Sequence, residues 1–362
     1  MEEVKIPLDR EQVIAWLRED REDRLAQLWK WADEIRQHRV GDEVHLRGLI
    51  EISNHCHRQC HYCGLRTGNE ELHRYRMTEE EILACAAEAQ SYGYGTVVMQ
   101  SGEDNGITRD WMAGIIRRIK GETSLAVTLS LGERSEGDLR AWRRAGVDRY
   151  LLRFETSQRR LYDEIHPPLG RKRSDRLEIL RRLREIGYEI GSGVMIGIPG
   201  QTYEDLAHDI ELFGKLDLDM IGVGPFIPHP GTPLGREFET RCAPAAEQVP
   251  NSEMMTYKVI ALARIVCPEA NIPSTTALAT LNLSEGRELG LSRGANIVMP
   301  NLTPVAYRAD YGIYPAKACI RETGADCRMC LNRRIISIGR TIGRGKGGRV
   351  QGMVGSRLIR GT

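Results

Sequence analysis

Cys56, Cys60 and Cys63 stand in the segment Asn54–Gly64 with C-x3-C-x2-C spacing, just after an apolar, strand-like run. Three thiolates this close can hold three irons of a 4Fe-4S cube, which leaves the fourth iron without a protein ligand. An open iron is a place for chemistry, whereas a four-cysteine cluster chiefly carries electrons. The competing reading is a structural zinc site. Zinc more often takes paired C-x2-C units and needs a fourth ligand, which His55, His57 or His61 would supply.

The chain around this loop has 362 residues and a formal net charge of +1. Near-balanced charge gives no general reason to expect nucleic acid or a membrane surface as partner. No apolar run is long enough to span a bilayer. The opening Met-Glu-Glu-Val-Lys has no secretory character, so the expected location is the cytoplasm. Nine cysteines in such a chain point to metal or redox use rather than disulfides. Six fall in two triplets, the second being Cys319, Cys327 and Cys330. Cys85, Cys242 and Cys267 are scattered, and Cys85 and Cys267 sit in apolar helical patterns that read as core.

The elements that must position the loop follow a rhythm. Residues 10–38 are amphipathic and read as one or two helices. Strand-like runs then occur near 44–53, 95–100, 124–131, 148–154, 189–197, 219–224, 271–276 and 296–300. Helical stretches lie near 78–92, 108–120, 135–145, 158–165, 174–187, 203–215, 253–266 and 284–292, several closed by glycine. Eight strand–helix units over about 250 residues predict an α/β fold, a complete (β/α)8 TIM barrel. The expected divisions are an N-terminal helical extension (1–40), the barrel (41–301) and a C-terminal extension (302–362). That extension carries the second triplet and a glycine- and arginine-rich tail, Gly339–Arg349, expected to be a solvated end, with docking to a partner as the lesser alternative.

Barrel active sites form at the C-terminal ends of the strands. The cysteine loop therefore shares a mouth with Gln100 to Glu103, Thr128 to Ser130, Arg153 to Glu155, Met195 to Gly200, Gly222 to His229, Ser274 to Thr276, and Pro300-Asn301. The cysteine spacing, with Tyr62 before the last cysteine, resembles the signature of radical S-adenosylmethionine (SAM) enzymes. A SAM amino group wants acceptors. Glu103 sits where those enzymes carry a glycine–glutamate motif, here with Ser101 in place of the first glycine, and Glu155 is a second candidate. The SAM carboxylate wants a cation, for which Arg176 and Arg153 have the charge. The Gly191–Gly197 run would let backbone approach the nucleoside, with Tyr62, Met220 and Ile227 over the adenine.

The longer strings carry a closer likeness. They are Gln100–Asp104, Thr128–Glu133, Arg149–Thr156, Gly197–Thr202, Gly222–Pro230 and Pro273–Ala277, with the C-x7-C-x2-C of Cys319, Cys327 and Cys330. Together they resemble the HydE family, the radical SAM maturases of FeFe-hydrogenase, from about residue 20 to 350. The resemblance implies a 4Fe-4S cluster, SAM and a closed internal cavity. It implies SAM contacts at Tyr62, Gln100, Ser101, Thr128, Arg153, Glu155, Arg176, Met220 and Ile227, and substrate contacts at Thr275, Thr276 and Tyr314. It leaves the second triplet, which varies in the family, either to a second iron–sulfur cluster, 2Fe-2S or 4Fe-4S, or empty of metal. The implied substrate is an iron complex carrying carbon monoxide, cyanide and cysteine. The implied partners are the tyrosine-cleaving maturase, a GTPase scaffold and a reductant such as ferredoxin or flavodoxin. Two departures stand out: Phe154 in the Arg-x-Glu-Thr segment, and the insertion Pro167–Gly170 ahead of Arg176.

Two other readings differ in class. An amino-acid mutase of the methylornithine synthase type shares the barrel and motif order, though the second triplet argues against it. A non-catalytic iron–sulfur scaffold would lack dedicated SAM groups, which Glu103, Glu155 and Arg176 supply.

Overall fold

The computed structural model describes residues 8–170, 173–238 and 246–349; Cys242 and the stretch after Arg349 lie outside them. Ten strands are interspersed with helices. They are β1 (Glu43–Ser53), β2 (Thr96–Ser101), β3 (Ala126–Ser130), β4 (Arg149–Leu151), β5 (Glu189–Ser192), β6 (Met195–Ile196), β7 (Met220–Ile221), β8 (Gly224–Pro225), β9 (Ile297–Val298) and β10 (Thr341–Ile342), with β6 following β5 directly and β8 following β7. The main sheet is parallel, ordered β10-β1-β2-β3-β4-β5-β7, with β9 also pairing β1. This is an α/β fold of TIM-barrel type with seven strands on one continuous path. Beyond β7 the pairing thins to single parallel bridges, Met220 to Asn271 and Pro273 to Ile297.

The helices follow the expected pattern because their ends are written locally. Thr78, Thr108, Ser135, Asp175, Thr202 and Ser252 each cap a helix by accepting a backbone N–H two or three residues into it. Gly146 and Gly187 end two helices with φ of 114° and 95°, a left-handed conformation that favours glycine. Their apolar faces supply Ile115, Ile116, Trp142, Leu180, Leu183 and Phe213 to the core, all fully buried. Each such side chain contributes roughly 1.5–3 kcal/mol.

The expected strand over 271–276 differs. Pro273 has no N–H to give a ladder, and Thr275 caps the helix Thr276–Leu281, so the run stops as a strand after two bridges. The expected strand over 189–197 is broken in two at Gly193, where a Cβ would lie 1.8 Å from the Gly222 carbonyl oxygen. The N-terminal helices Arg10–Arg18 and Glu22–Val40 cover this thinner side of the sheet. Arg10 pairs with Glu204 and Glu211 on the helix Tyr203–Lys215, and Lys258 Nζ donates to the Leu17 carbonyl at 3.0 Å. Gly339–Arg349, expected to be a solvated end, instead lies against the strand starts: the Gly343 N–H donates to the Val44 carbonyl at 2.9 Å, and Arg349 pairs with Asp217 at 2.7 Å. Among the described residues, no helix is long and apolar enough to cross a membrane.

Candidate active site

The cysteine loop leaves β1 at Ser53 and is organised by polar side chains rather than by an apolar core. Asn54 Nδ2 donates to the carbonyls of His73 and Asp310 at 2.7 and 2.8 Å, and its Oδ1 accepts the Tyr75 N–H at 2.7 Å. Arg74 spreads its guanidinium over the carbonyls of Asn54, Leu65, Arg66 and Asn69. The loop is thereby held with Cys56, Cys60 and Cys63 facing one cavity of about 350 Å³. Burial pushes all three thiols up, Cys60 well above the ordinary range and Cys63 to about 12. Buried thiolates need nearby positive charge, which cluster iron supplies. Among the described residues the three sulfurs do not form a set within 4.8 Å of one another. One zinc at about 2.3 Å from each sulfur would draw them closer than that, so this donor set fits a three-ligand cluster better than a single ion.

Beside the cysteines lies a buried charge network. Arg58, inside the loop, reaches Glu103 at 2.6 Å and Glu133 at 2.8 Å. Arg176 opens the helix Arg176–Ile186 and reaches Glu133 at 3.2 Å, Glu103 at 3.4 Å and the Arg153 carbonyl at 2.7 Å. Two guanidiniums face two carboxylates, none more than 12% exposed. Burial alone would raise Glu133, but Arg176 and Arg58 overrule it and hold the carboxyl below its usual range. Burial, with Arg176 beside it, drives His166 down to about 2, so the imidazole is neutral and its Nε2 accepts from Arg176 at 2.6 Å.

Glu155 follows β4 in a left-handed conformation, φ 62°, uncommon for a residue with a Cβ. Its carboxylate pairs with Arg153 at 3.0 Å. The turn is held from behind by Asp209, fully buried on the helix Tyr203–Lys215, whose Oδ1 accepts the Ser157 N–H at 2.7 Å. Oδ2 of Asp209 has no hydrogen-bond partner, and burial pushes the carboxyl up to about 7. A raised folded pKa means the native state keeps a proton that the unfolded chain has lost, so Asp209 subtracts stability as pH rises from about 4 to about 7. Asp209→Asn keeps the Oδ1 acceptor and removes the titration. Its melting temperature relative to the parent is expected to rise between pH 5 and pH 8. A pH-independent difference would exclude Asp209 as the titrating group.

The cavity roof is the loop 309–323. A Cβ on Gly64 would lie 2.1 Å from the Gly312 carbonyl oxygen, so cysteine loop and roof are pressed together, and the Gly64 N–H donates to the Ile313 carbonyl at 3.1 Å. Tyr311 and Tyr314 face the cavity, and Tyr311 Oη accepts from Gln100 Nε2 at 3.2 Å. Lys317 forms a buried ion pair with Glu51 of β1, which also accepts from Asn301 Nδ2 at 3.0 Å.

Most of the residues expected from sequence to form the site do share this cavity. Tyr62, Gln100, Ser101, Glu103 and Thr128 line it with the cysteines. So do Arg153 and Glu155 after β4, Arg176 at the start of its helix, Met220 of β7 and Ile227 after β8. Thr275 and Thr276 line it as well, and Tyr314 lines it from the roof. Met220 sits with its sulfur 3.0 Å from Arg47 Nη1, at the end of the cavity away from the cysteines. Cys319, Cys327 and Cys330 do not line the cavity. Cys327 and Cys330 lie on the helix Gly324–Ser337, and Cys319 sits in the roof with φ 62°. A hydrogen bond with Cys327 holds the Cys319 thiol below its ordinary range, with Arg287 helping, and Cys327 is pushed up in turn. Arg58, Glu133, His166, Glu51, Lys317 and Asp209 join the site only through the fold. Arg58 and Glu133 lie inside the motifs, but nothing local marks them as partners across tens of residues.

A model of the radical SAM superfamily matches residues 50–213. The chain is 46% identical over 322 residues to the FeFe hydrogenase maturase subunit HydE of Thermotoga maritima, covering 89% of this chain and 88% of that protein. It is 29% identical over 279 residues to 3-methylornithine synthase of Methanosarcina acetivorans, covering 76% and 75%. Among solved structures, that of methylornithine synthase (PylB) has a TM-score of 0.78 at 26% identity over 93% of this chain and 94% of that one. The structure of HydG, a maturase of the FeFe-hydrogenase, has a TM-score of 0.73 at 20% identity, covering 92% and 71%, a likeness of fold.

Proposed function

The chain belongs to the HydE family of radical SAM enzymes, and from that premise we propose how its own residues divide the work. Cys56, Cys60 and Cys63 hold a 4Fe-4S cluster, with SAM on the open iron. When bound, cluster and SAM together supply one-electron cleavage of the sulfonium to methionine and a 5′-deoxyadenosyl radical. Arg176 and Arg153 take the carboxylate of SAM, and Glu103 and Glu155 accept from its amino group. The Arg58–Glu133 pair keeps that array neutral when the site exchanges ligands. Tyr62, Gln100, Ser101, Thr128 and Ile227 wall the nucleoside, and Met220 lines the cavity beside Arg47. The single bridges beyond β7 complete a (β/α)8 ring around the cavity, and the roof at Tyr311–Lys317 excludes water from it.

The substrate is an iron complex carrying carbon monoxide, cyanide and cysteine, placed near Thr275, Thr276 and Tyr314. The product is a step toward the sulfur-bridged di-iron unit of the hydrogenase. The partners are the tyrosine-cleaving maturase upstream, the GTPase scaffold downstream and a ferredoxin or flavodoxin as reductant, all in the cytoplasm. Cys319, Cys327 and Cys330 hold a second cluster that the central reaction does not require. One observation carries the reading: three cysteine thiols face one roofed cavity together with Glu103, Arg58 and Arg176, and Glu133 pairs with both arginines from behind.

The test is complementation. Expressed in a host lacking its own HydE, the chain is expected to restore active FeFe-hydrogenase. A soluble, cluster-loaded protein that cleaves SAM yet restores none would transfer the assignment to an amino-acid mutase. That second reading rests on the 0.78 TM-score to methylornithine synthase.

A further inference from the structure

The glycine- and arginine-rich segment after the helix Gly324–Ser337 is built into the end of the barrel opposite the cysteines. β10 pairs with the first residues of β1, Thr341 with Glu43 and Ile342 with Val44. The chain then crosses the strand starts. The Lys346 carbonyl accepts from Thr96 Oγ1 of β2 at 2.8 Å and from Arg149 Nη2 of β4 at 3.1 Å. The Gly347 carbonyl accepts from Arg47 Nη2 of β1 at 2.9 Å and from Asn271 Nδ2 at 3.2 Å. Arg349 anchors the far side on Asp217 at 2.7 Å, Asp219 at 3.3 Å and Glu269 at 3.7 Å.

The glycines are required by this path. A Cβ on Gly95 would lie 1.6 Å from the Gly345 carbonyl oxygen, and Cβ atoms on Gly343 and Gly347 would lie 2.5 and 2.7 Å from the His45 ring. Gly345 and Gly347 have φ of 75° and 52°. A composition that reads as a flexible end is here a strap pressed against backbone.

Two of the side chains the strap holds, Arg47 and Asn271, also line the cavity. Arg47 is buried, and among the described residues no carboxylate pairs with it; its Nε has no hydrogen-bond partner. Its guanidinium donates to the Gly347 carbonyl and to the Met220 sulfur. The direction of this guanidinium is therefore set by the strap.

We propose that Gly343–Arg349 is the floor of the substrate cavity, a positioning segment that closes the barrel behind the strands and aims Arg47 and Asn271 at the bound substrate. The aiming half rests on the cavity being the substrate site; the closure half does not. Substrate and product then exchange on the roofed side, past Tyr314 and Lys317.

Gly95→Val tests this by pushing on the Gly345 carbonyl without touching any group assigned to SAM. Arg349→Glu reverses the anchor, and Arg349→Lys retains its charge. A Val98→Cys reporter inside the cavity wall, in each background, is read by iodoacetamide labelling and peptide mass spectrometry. Gly95→Val is expected to bind SAM and cleave it without substrate at the parent rate. In Gly95→Val and Arg349→Glu the reporter is expected to label faster, trypsin to cut at Arg344 and Lys346, and substrate KM to rise about tenfold, as when one buried hydrogen bond to the substrate is removed. Arg349→Lys is expected to restore all three. Unchanged labelling in variants whose strap trypsin cuts would overturn the closure, whatever the substrate. Faster labelling with an unchanged KM would overturn the aiming of Arg47 and Asn271. Faster labelling in a protein whose parent never consumes the iron complex would instead count against the proposed reaction and leave the floor standing.

Discussion

Cys60→Ala is expected to abolish 5′-deoxyadenosine formation while leaving the protein folded. The loop does not depend on that thiol for its shape. Arg74 ties four of its carbonyls, and Asn54 ties it to His73, Tyr75 and Asp310. Removing one buried sulfur deletes a small apolar group, worth about 1 kcal/mol. Removing one ligand of three leaves two irons without protein ligands, and the one-electron source goes with the cluster. The measurement is anaerobic reconstitution, dithionite reduction, addition of SAM and quantification of 5′-deoxyadenosine. Circular dichroism and the spectrum of the reduced cluster are recorded beside it. Cys327→Ala serves as the contrast and is expected to cleave SAM at the parent rate, since Cys327 lies outside the cavity. A folded Cys60→Ala protein that still cleaved SAM would end the radical assignment.

That contrast bears on what a sequence can disclose. The strand–helix order is readable because apolar runs and capping residues are local: Thr202 and Asp205 write the start of one helix within four positions. The cysteine triplet is readable for the same reason. Glu51 and Lys317 are 266 residues apart, and neither has a local pattern that announces a buried pair. The partners of Arg58 lie 45 and 75 residues on, so its charge reads as an ordinary surface ion until the fold brings Glu103 and Glu133 to it. Gly339–Arg349 reads wrongly as a solvated end for a different reason. The bonds that press it against the strand starts include four accepted by its own carbonyls at Lys346 and Gly347, and side-chain pattern carries no record of those. The strands β6 to β9 are shorter than their apolar runs suggest, because apolar residues continue past the last ladder bond into turns that face the cavity.

Arg176→Met should be the most damaging change outside the cysteines, and it should act twice. The substitution leaves Glu103 and Glu133 buried with Arg58 as their remaining guanidinium. Removing one member of a buried ion pair costs about 3–5 kcal/mol, and the lower end applies because one cation stays. The same change removes the cation proposed for the carboxylate of SAM. Truncating one partner of a buried charge pair weakens binding by about 2–5 kcal/mol, which places the expected rise in SAM Kd at about 30-fold or more. The two effects separate by pH. Glu133 is held below its usual range, so it adds stability above its ordinary pKa of 4.5 and loses that contribution as pH falls through the lower folded value. The stability gap between parent and Arg176→Met should therefore be full at pH 7 and shrink as the solution is taken below about pH 4. Urea unfolding at several pH values measures the gap, and equilibrium binding of SAM at pH 7 measures the site. Arg176→Lys should recover part of both, since an ammonium keeps the charge without the planar fork that reaches Glu103, Glu133 and the Arg153 carbonyl together. If Arg176→Met lowers stability but binds SAM as the parent does, Arg176 is a brace for the two glutamates and the SAM carboxylate is held by Arg153.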